Sequence, residues 1–191
     1  MLKLYYHSSP NPVKVALYLE ETNTPYEIIA TDTRKGEQHA PEFRALNPNG
    51  KTPVLVDRDI TVFDSTAIML YLGEKVGKFM PEKTPAAHAE FYSWLMFVAT
   101  GIGPYCGQAV HFKHIAPEPK EYAVNRYDFE AWRHWLLIEE RLSKQPYMLK
   151  EYGIVDMSVW GWARILPFVL GEGAWEKLPN VKRLLDEINA K

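Results

Sequence analysis

At 191 residues, with 47% apolar and 24% charged side chains, the chain is long enough for two small domains with ordinary globular cores. A formal net charge of -2 speaks against a nucleic-acid or anionic-membrane partner, and no run approaches the ~18 apolar residues of a transmembrane helix. One cysteine, Cys106, excludes an internal disulfide and, with no apolar leader in residues 1–6, fits a reducing cytoplasm.

Leu2-Lys3-Leu4-Tyr5-Tyr6 reads as a strand, followed by a turn at His7-Ser8-Ser9-Pro10-Asn11. A helix is expected over residues 12–21 with Val13, Ala16 and Leu17 on one face, and Asn11 is its expected cap because Pro12 suits a first helical position. Residues 25–29 read as a second strand, and residues 41–46 as a short helix stopped by Asn47-Pro48-Asn49-Gly50. Val54-Leu55-Val56 and Thr61-Val62-Phe63 are strands around a tight turn at Asp57-Arg58-Asp59. Residues 65–75 form a third helix carrying Ile68, Leu70, Tyr71 and Leu72. This βαβαββα order predicts a thioredoxin-like domain over residues 1–78, a four-stranded mixed sheet with helices on both faces. Residues 79–86, with two prolines, read as a linker. Residues 87–191 read as an all-helical bundle with apolar faces at Phe91-Trp94-Leu95-Val98, Phe129-Trp132-Leu136, Trp135-Ile138-Leu142 and Val155-Val159-Trp162, closed by a helix over residues 179–190.

Three places in the first domain could carry chemistry. Proline has no N–H to donate to a sheet, so Pro53 belongs at a strand start. Thr52-Pro53 is therefore either an ordinary trans start or a cis proline that bares the backbone of Thr52 to a peptide ligand. Asp64-Ser65 stands where a strand meets a helix. It is either a plain cap or, with the N–H groups and dipole of the helix, a grip for an amino-acid zwitterion: Ser65 for the carboxylate, Asp64 for the amine. The loop Ser8-Ser9-Pro10-Asn11 sits where thioredoxin-like domains hold redox cysteines, and it has none. Thiol chemistry there has to use a ligand's sulfur, activated by a hydroxyl or amide; Asn11 can also serve as cap. Lowering a thiol pKa by about two units takes about 2.7 kcal/mol of differential stabilisation, within reach of one or two donors at a helix N-terminus. Cys106, in the Gly-rich stretch of residues 101–107, reads as a small buried residue within a helical break. His111 and His114 have helical spacing but no third ligand nearby, so no metal site is expected.

Taken together, Ser9-Pro10-Asn11, Pro41-Glu42-Phe43 with Asn47-Pro48, Lys51-Thr52-Pro53-Val54 and Phe63-Asp64-Ser65-Thr66-Ala67-Ile68 resemble the glutathione transferase superfamily. In the second half, Gly103-Pro104-Tyr105-Cys106-Gly107-Gln108, His111-Phe112-Lys113-His114-Ile115-Ala116-Pro117 and residues 122–127 are similar to the bacterial nu-class enzymes. The resemblance implies a glutathione transferase fold, glutathione as co-substrate, no metal and a homodimer. It implies Ser9 and Asn11 near the glutathione sulfur. It further implies that Gln38, Lys51, the backbone of Thr52, Asp64 and Ser65 hold the tripeptide, with Arg126 near the site in the dimer. Pro12 replaces the Gly usual after the Asn. Ser8 stands where some other classes keep their active serine, so both serines stay candidates for the hydroxyl facing sulfur. Gly153 replaces the usual Ser or Thr cap three residues before Asp156, and no C-terminal tail is expected over the second-substrate pocket.

The expected activity is that of a glutathione transferase of the EC 2.5.1.18 type with glutathione:disulfide oxidoreductase activity. A thiolate stabilised by Ser9 and Asn11 attacks a disulfide or electrophile, with Tyr105 and Trp162 expected along the second-substrate pocket. The alternatives are a non-catalytic ligand-binding or interaction protein of the same fold, and a glutathione-dependent isomerase or lyase.

Overall fold

Leu2 and Leu4 alternate with more exposed neighbours along β1 (Leu2–Tyr6), so one face of this strand enters a core. In the computed structural model, which describes residues 1–118 and 120–191, β2 (Tyr26–Ala30) lies parallel to β1. On its other side β1 pairs antiparallel with β3 (Val54–Asp57), which pairs antiparallel with β4 (Ile60–Phe63), giving the order β2-β1-β3-β4. Between the strands run α1 (Pro10–Glu21), α2 (Pro41–Leu46) and, after β4, α3 (Ser65–Val76). The thioredoxin-like βαβαββα order is thus present, with an added 3₁₀ turn at Glu37–His39.

The chain divides into two compact units, Met1–Met80 and Pro81–Lys191. In the first, Val15, Tyr18 and Leu19 of α1 and Ile68, Met69 and Leu72 of α3 are fully buried, as are Leu4 and Leu55 of the sheet. The Tyr18 hydroxyl donates to the Leu72 carbonyl at 3.2 Å, satisfying a polar tip inside that core. Tyr5, next in β1 after Leu4 and so on the opposite face, meets Phe43 of α2 edge-on at 5.8 Å. Asp57, at the end of β3, accepts from Tyr71 at 2.6 Å and from Lys75, tying α3 to the sheet. Two details of α1 differ from expectation. Pro10 as well as Pro12 fits the first turn, and the helix starts at Pro10, so Ser9 is the cap residue and Asn11 lies inside the helix. Its buried face is Val13, Lys14, Val15, Tyr18 and Leu19, whereas Ala16 and Leu17 are only half-buried.

The second unit holds α4 (Pro85–Phe97), α5 (Gly103–Val110), α6 (Glu121–Lys144), α7 (Ile154–Ala163), α8 (Leu166–Leu170), α9 (Ala174–Lys177) and α10 (Pro179–Asn189). The Gly-rich stretch is not a break. A π-helical turn at Val98–Ile102 carries α4 into α5, with the Gly103 N–H donating to the carbonyl of Val98. The physical reason is Pro104, which cannot donate to the carbonyl four residues back, so the widened turn absorbs the mismatch. On α6, Trp135, Ile138 and Leu142 enter the core as expected. The overlapping stripe does not: Phe129 is 61% and Leu136 48% exposed. Asp156 accepts from Gly153 N–H at 2.9 Å and Met148 N–H at 2.7 Å; Gly153 returns no side-chain bond, so only half of a capping box exists. Glu139 of α6 caps α10 from outside, accepting from the N–H groups of Asn180 and Val181 at 3.0 Å. Among the described residues no helix is long and apolar enough to cross a membrane.

Candidate functional site

Main-chain pairing gathers the expected site residues at one end of the sheet. Tyr5 of β1 pairs with Val54 of β3, and Val54 with Phe63 of β4. Residues 8–11 follow β1, Thr52-Pro53 precedes β3 and Asp64-Ser65 follows β4, so all three leave the same row as neighbours. β2 ends at this level too, with Ala30 opposite Tyr6 and Thr31 N–H donating to the Tyr6 carbonyl at 2.9 Å. The segment that leads to Gln38 therefore starts from the same end.

Each segment keeps polar groups unengaged. At α1, Pro10 and Pro12 have no N–H and the Ser9 N–H goes to the His7 carbonyl at 2.8 Å, leaving Asn11 to supply the N–H of the first turn. Ser9 makes no side-chain cap bond, so its hydroxyl is not tied to the helix. Ser8 is exposed, whereas Ser9 and Asn11 are half-buried. At α3, the Asp64 Oδ1 accepts from Thr66 N–H at 2.8 Å and Ala67 N–H at 3.2 Å. Asp64 is thus the cap, and its Oδ2 stays available on an exposed residue. The capping holds Asp64 at φ 72, a conformation that costs a non-glycine residue of order 1–3 kcal/mol. With the next two N–H groups engaged, Ser65 offers its own N–H and hydroxyl at the positive end of α3. The Thr52-Pro53 peptide is cis, and the ladder begins only at Val54, so the backbone of Thr52 lies outside the sheet pairing.

Gln38 and Lys51 are brought in by a loop whose design is local. Asn47, 2% exposed, donates from Nδ2 to the Lys51 carbonyl at 2.7 Å and accepts from Asn49 N–H at 3.0 Å. Gly50, at φ +63, lets this loop touch the 3₁₀ turn: a Cβ there would lie 3.3 Å from the Gln38 carbonyl oxygen. The Gln38 Oε1 is buried and has no hydrogen-bond partner among the described residues. An orphaned amide oxygen on this turn suits a ligand that donates a hydrogen bond.

In the helical unit, Arg126 lies on α6 with its side chain 50% exposed and its guanidinium 2.9 Å from Glu130. Tyr105 packs on the His134 ring at 4.7 Å. Trp162 is 8% exposed and lies against Gly103 and Gly107, a core position rather than the expected pocket wall. Cys106 is fully buried, receives the Trp135 indole N–H at 3.2 Å, and burial pushes its thiol up to about 12. His114 Nε2 bonds the Phe168 carbonyl at 3.0 Å and its ring stacks on Phe168, so the His111/His114 pair is occupied otherwise. A groove of about 550 Å³ elsewhere in this unit, lined by Lys113, His114, Arg164, Phe168 and Glu172 among others, contains none of the expected residues.

Sequence reasoning passed over Lys14, Asn47 as an organiser and Glu130. Lys14 had a readable signal, a lysine between Val13 and Val15 on a helix; the buried position of Glu130 had none, because it depends on which α6 stripe is covered.

Comparisons with known proteins bear on the family and the fold. The family model described as glutathione S-transferase, N-terminal domain, matches residues 1–74. The disulfide-bond oxidoreductase YfcG of Escherichia coli K12 is 38% identical over 170 residues, 85% of this chain and 79% of that protein. A glutathione transferase family member from Pseudomonas fluorescens, solved with two glutathione bound, superposes with TM-score 0.92 at 31% identity over 100% of this chain and 88% of that one. The glutathione transferase of Burkholderia graminis, with two glutathione molecules bound per subunit, gives 0.91 at 34% identity over 100% and 84%.

Proposed function

The chain belongs to the glutathione S-transferase family, and from that premise we propose that it is a glutathione-dependent disulfide oxidoreductase and transferase that works through its substrate's sulfur. The observation that carries this reading is the cysteine-free sheet end, where donors converge while the one described thiol, Cys106, is buried and inert. In this reading the Ser65 N–H and hydroxyl take the α-carboxylate of glutathione, and Asp64 Oδ2 takes its ammonium. The Thr52 backbone pairs with the cysteinyl peptide beside Pro53, Gln38 helps hold the tripeptide, and Lys51 meets its glycine carboxylate. Ser9 and Asn11 donate to the sulfur and favour its thiolate, with Ser8 as the alternative hydroxyl. The helix N-terminus behind them adds to the same effect.

The thiolate attacks one sulfur of a disulfide; an S–S bond forms to glutathione and the other sulfur leaves as a thiolate that takes up a proton. A second glutathione thiolate attacks the mixed disulfide, giving glutathione disulfide and the second reduced thiol. Two glutathiones are oxidised as one disulfide is reduced, which accords with relatives that bind two. On an electrophilic carbon the same thiolate forms a C–S bond and expels the leaving group.

Ser65→Ala removes a hydrogen bond to a charged group, worth about 1.5–3 kcal/mol, and is expected to weaken glutathione binding by roughly ten- to a hundredfold by calorimetry. Asn11→Ala is expected to lower kcat with a small disulfide more than it weakens binding. The reverse pattern overturns the role assignment. If glutathione binds but neither a small disulfide nor a chlorinated nitroaromatic is consumed above background, the enzyme reading fails.

A further inference from the structure

Along α6, positions 122, 126, 129, 133 and 136 alternate in steps of four and three, the spacing of a single helix face. They are Tyr122, Arg126, Phe129, Arg133 and Leu136, and none is buried. Behind the two arginines lies Glu130, 6% exposed. Its two oxygens are divided between them: Oε1 forms an ion pair with Arg126 Nη1 at 2.9 Å, and Oε2 accepts from Arg133 Nε at 2.9 Å. Glu130's carboxyl is held below the usual carboxylate range, first by the Arg133 hydrogen bond and then by the charges of Arg133 and Arg126.

The anchor extends one layer deeper. His134 Nδ1–H donates to the Glu130 carbonyl at 2.7 Å, which leaves Nε2 as an acceptor 3.4 Å from an Arg133 nitrogen. The imidazole stacks on Phe97 at 5.0 Å and lies over Tyr105 at 4.7 Å. A fixed ring thus supports Arg133, and a buried carboxylate supports both arginines, while each guanidinium keeps about half its side chain in solvent.

We infer that Glu130 is a positioning residue, whose two carboxylate oxygens hold Arg126 and Arg133 as a pre-oriented pair that reads a ligand carboxylate. This rests on the reading of Arg126 as a glutathione contact. A free arginine has to be ordered when its ligand arrives; one already held by Glu130 does not, and its planar fork keeps N–H groups for a second carboxylate. The ligand class is a peptide-like carboxylate, of which glutathione disulfide offers four.

The test is a mutant cycle read as KM and kcat for glutathione with a small disulfide, and as Kd for glutathione disulfide. Arg126→Ala is expected to raise KM and Kd at least tenfold. Glu130→Gln is expected to raise them about three- to tenfold, with the change falling on KM rather than kcat, and to add less than twofold in a background that carries both Arg126→Ala and Arg133→Ala. An unchanged KM in Arg126→Ala overturns the glutathione-contact reading, and with it the inference. A tenfold effect of Arg126→Ala beside a wild-type KM in Glu130→Gln overturns positioning alone. An undiminished Glu130→Gln effect in the background without both arginines overturns it as well. If Glu130→Gln does not fold, Glu130→Asp keeps the charge on a shorter arm. A rise in KM that vanishes in that same background supports the inference, and a wild-type KM for Glu130→Asp overturns it.

Discussion

Lys14 is the residue whose chemistry departs furthest from its type. It is 1% exposed on α1, two residues into the buried face that begins at Pro12. Burial pulls its ammonium down to about 8, against the opposing charge of Asp64. Between about pH 8 and 10.5 the unfolded chain therefore binds more protons than the folded one, so stability rises with pH across that window. The contribution is full above 10.5 and lost as pH falls through 8, and its size is on the order of 3 kcal/mol. Lys14→Met is expected to raise the melting temperature at pH 7 and to flatten the climb between pH 8 and 10.5; a variant that tracks wild type across the window refutes this. Other residues were more legible. Asp64-Ser65 allowed a cap or a ligand grip, and the structure divides the pair, Oδ1 capping while Oδ2 and Ser65 stay available. Asn11 misled as a cap because prolines flank it on both sides, and either can start a helix.

At the scale of elements, the π-helical turn and α6 depend on each other through Gly101. A Cβ at that position would lie 2.5 Å from the His134 Cδ2, and the ring is held on two sides by Phe97 and Tyr105. Gly101→Ala is expected to destabilise the protein by about 1–3 kcal/mol, the usual cost of overpacking, measured by urea denaturation. Adding His134→Ala vacates the space, so the double variant should lose less than the sum; strict additivity would refute the clash. Local order was readable wherever side chains repeat with the period of one element: the strands, α2 and α3, and the Trp135-Ile138-Leu142 face of α6, while α1 was found but its start and buried face were not. The π-helical turn was not, because its cause is a proline's missing donor acting on a helix that composition made look broken. The convergence of Ser9, Thr52 and Ser65 was readable only in order of appearance, since the row Tyr5–Val54–Phe63 that unites them is made by pairing of distant segments.

At the scale of the molecule, the unexpected exposure of Phe129 and Leu136 is what the expected homodimer would cover. With Tyr122 they form an apolar series at intervals of seven on α6, and Tyr92 and Met96 of α4 are exposed at 43% and 38%. Burying one such side chain is worth about 1.5–3 kcal/mol, so Phe129→Asp should weaken self-association by at least tenfold, and Phe129→Asp with Leu136→Asp should sediment as a monomer. Unchanged sedimentation at micromolar concentration would put the interface elsewhere. A last consequence follows from where Cys106 lies. With its sulfur sealed beneath Trp135 and held as the neutral thiol, the described polypeptide has no place to park electrons between turnovers. In the proposed reaction it would be a junction and not a battery: the direction of net flow would be set by the glutathione couple and the substrate's own disulfide–thiol couple around it, and each catalytic cycle would begin without memory of the one before.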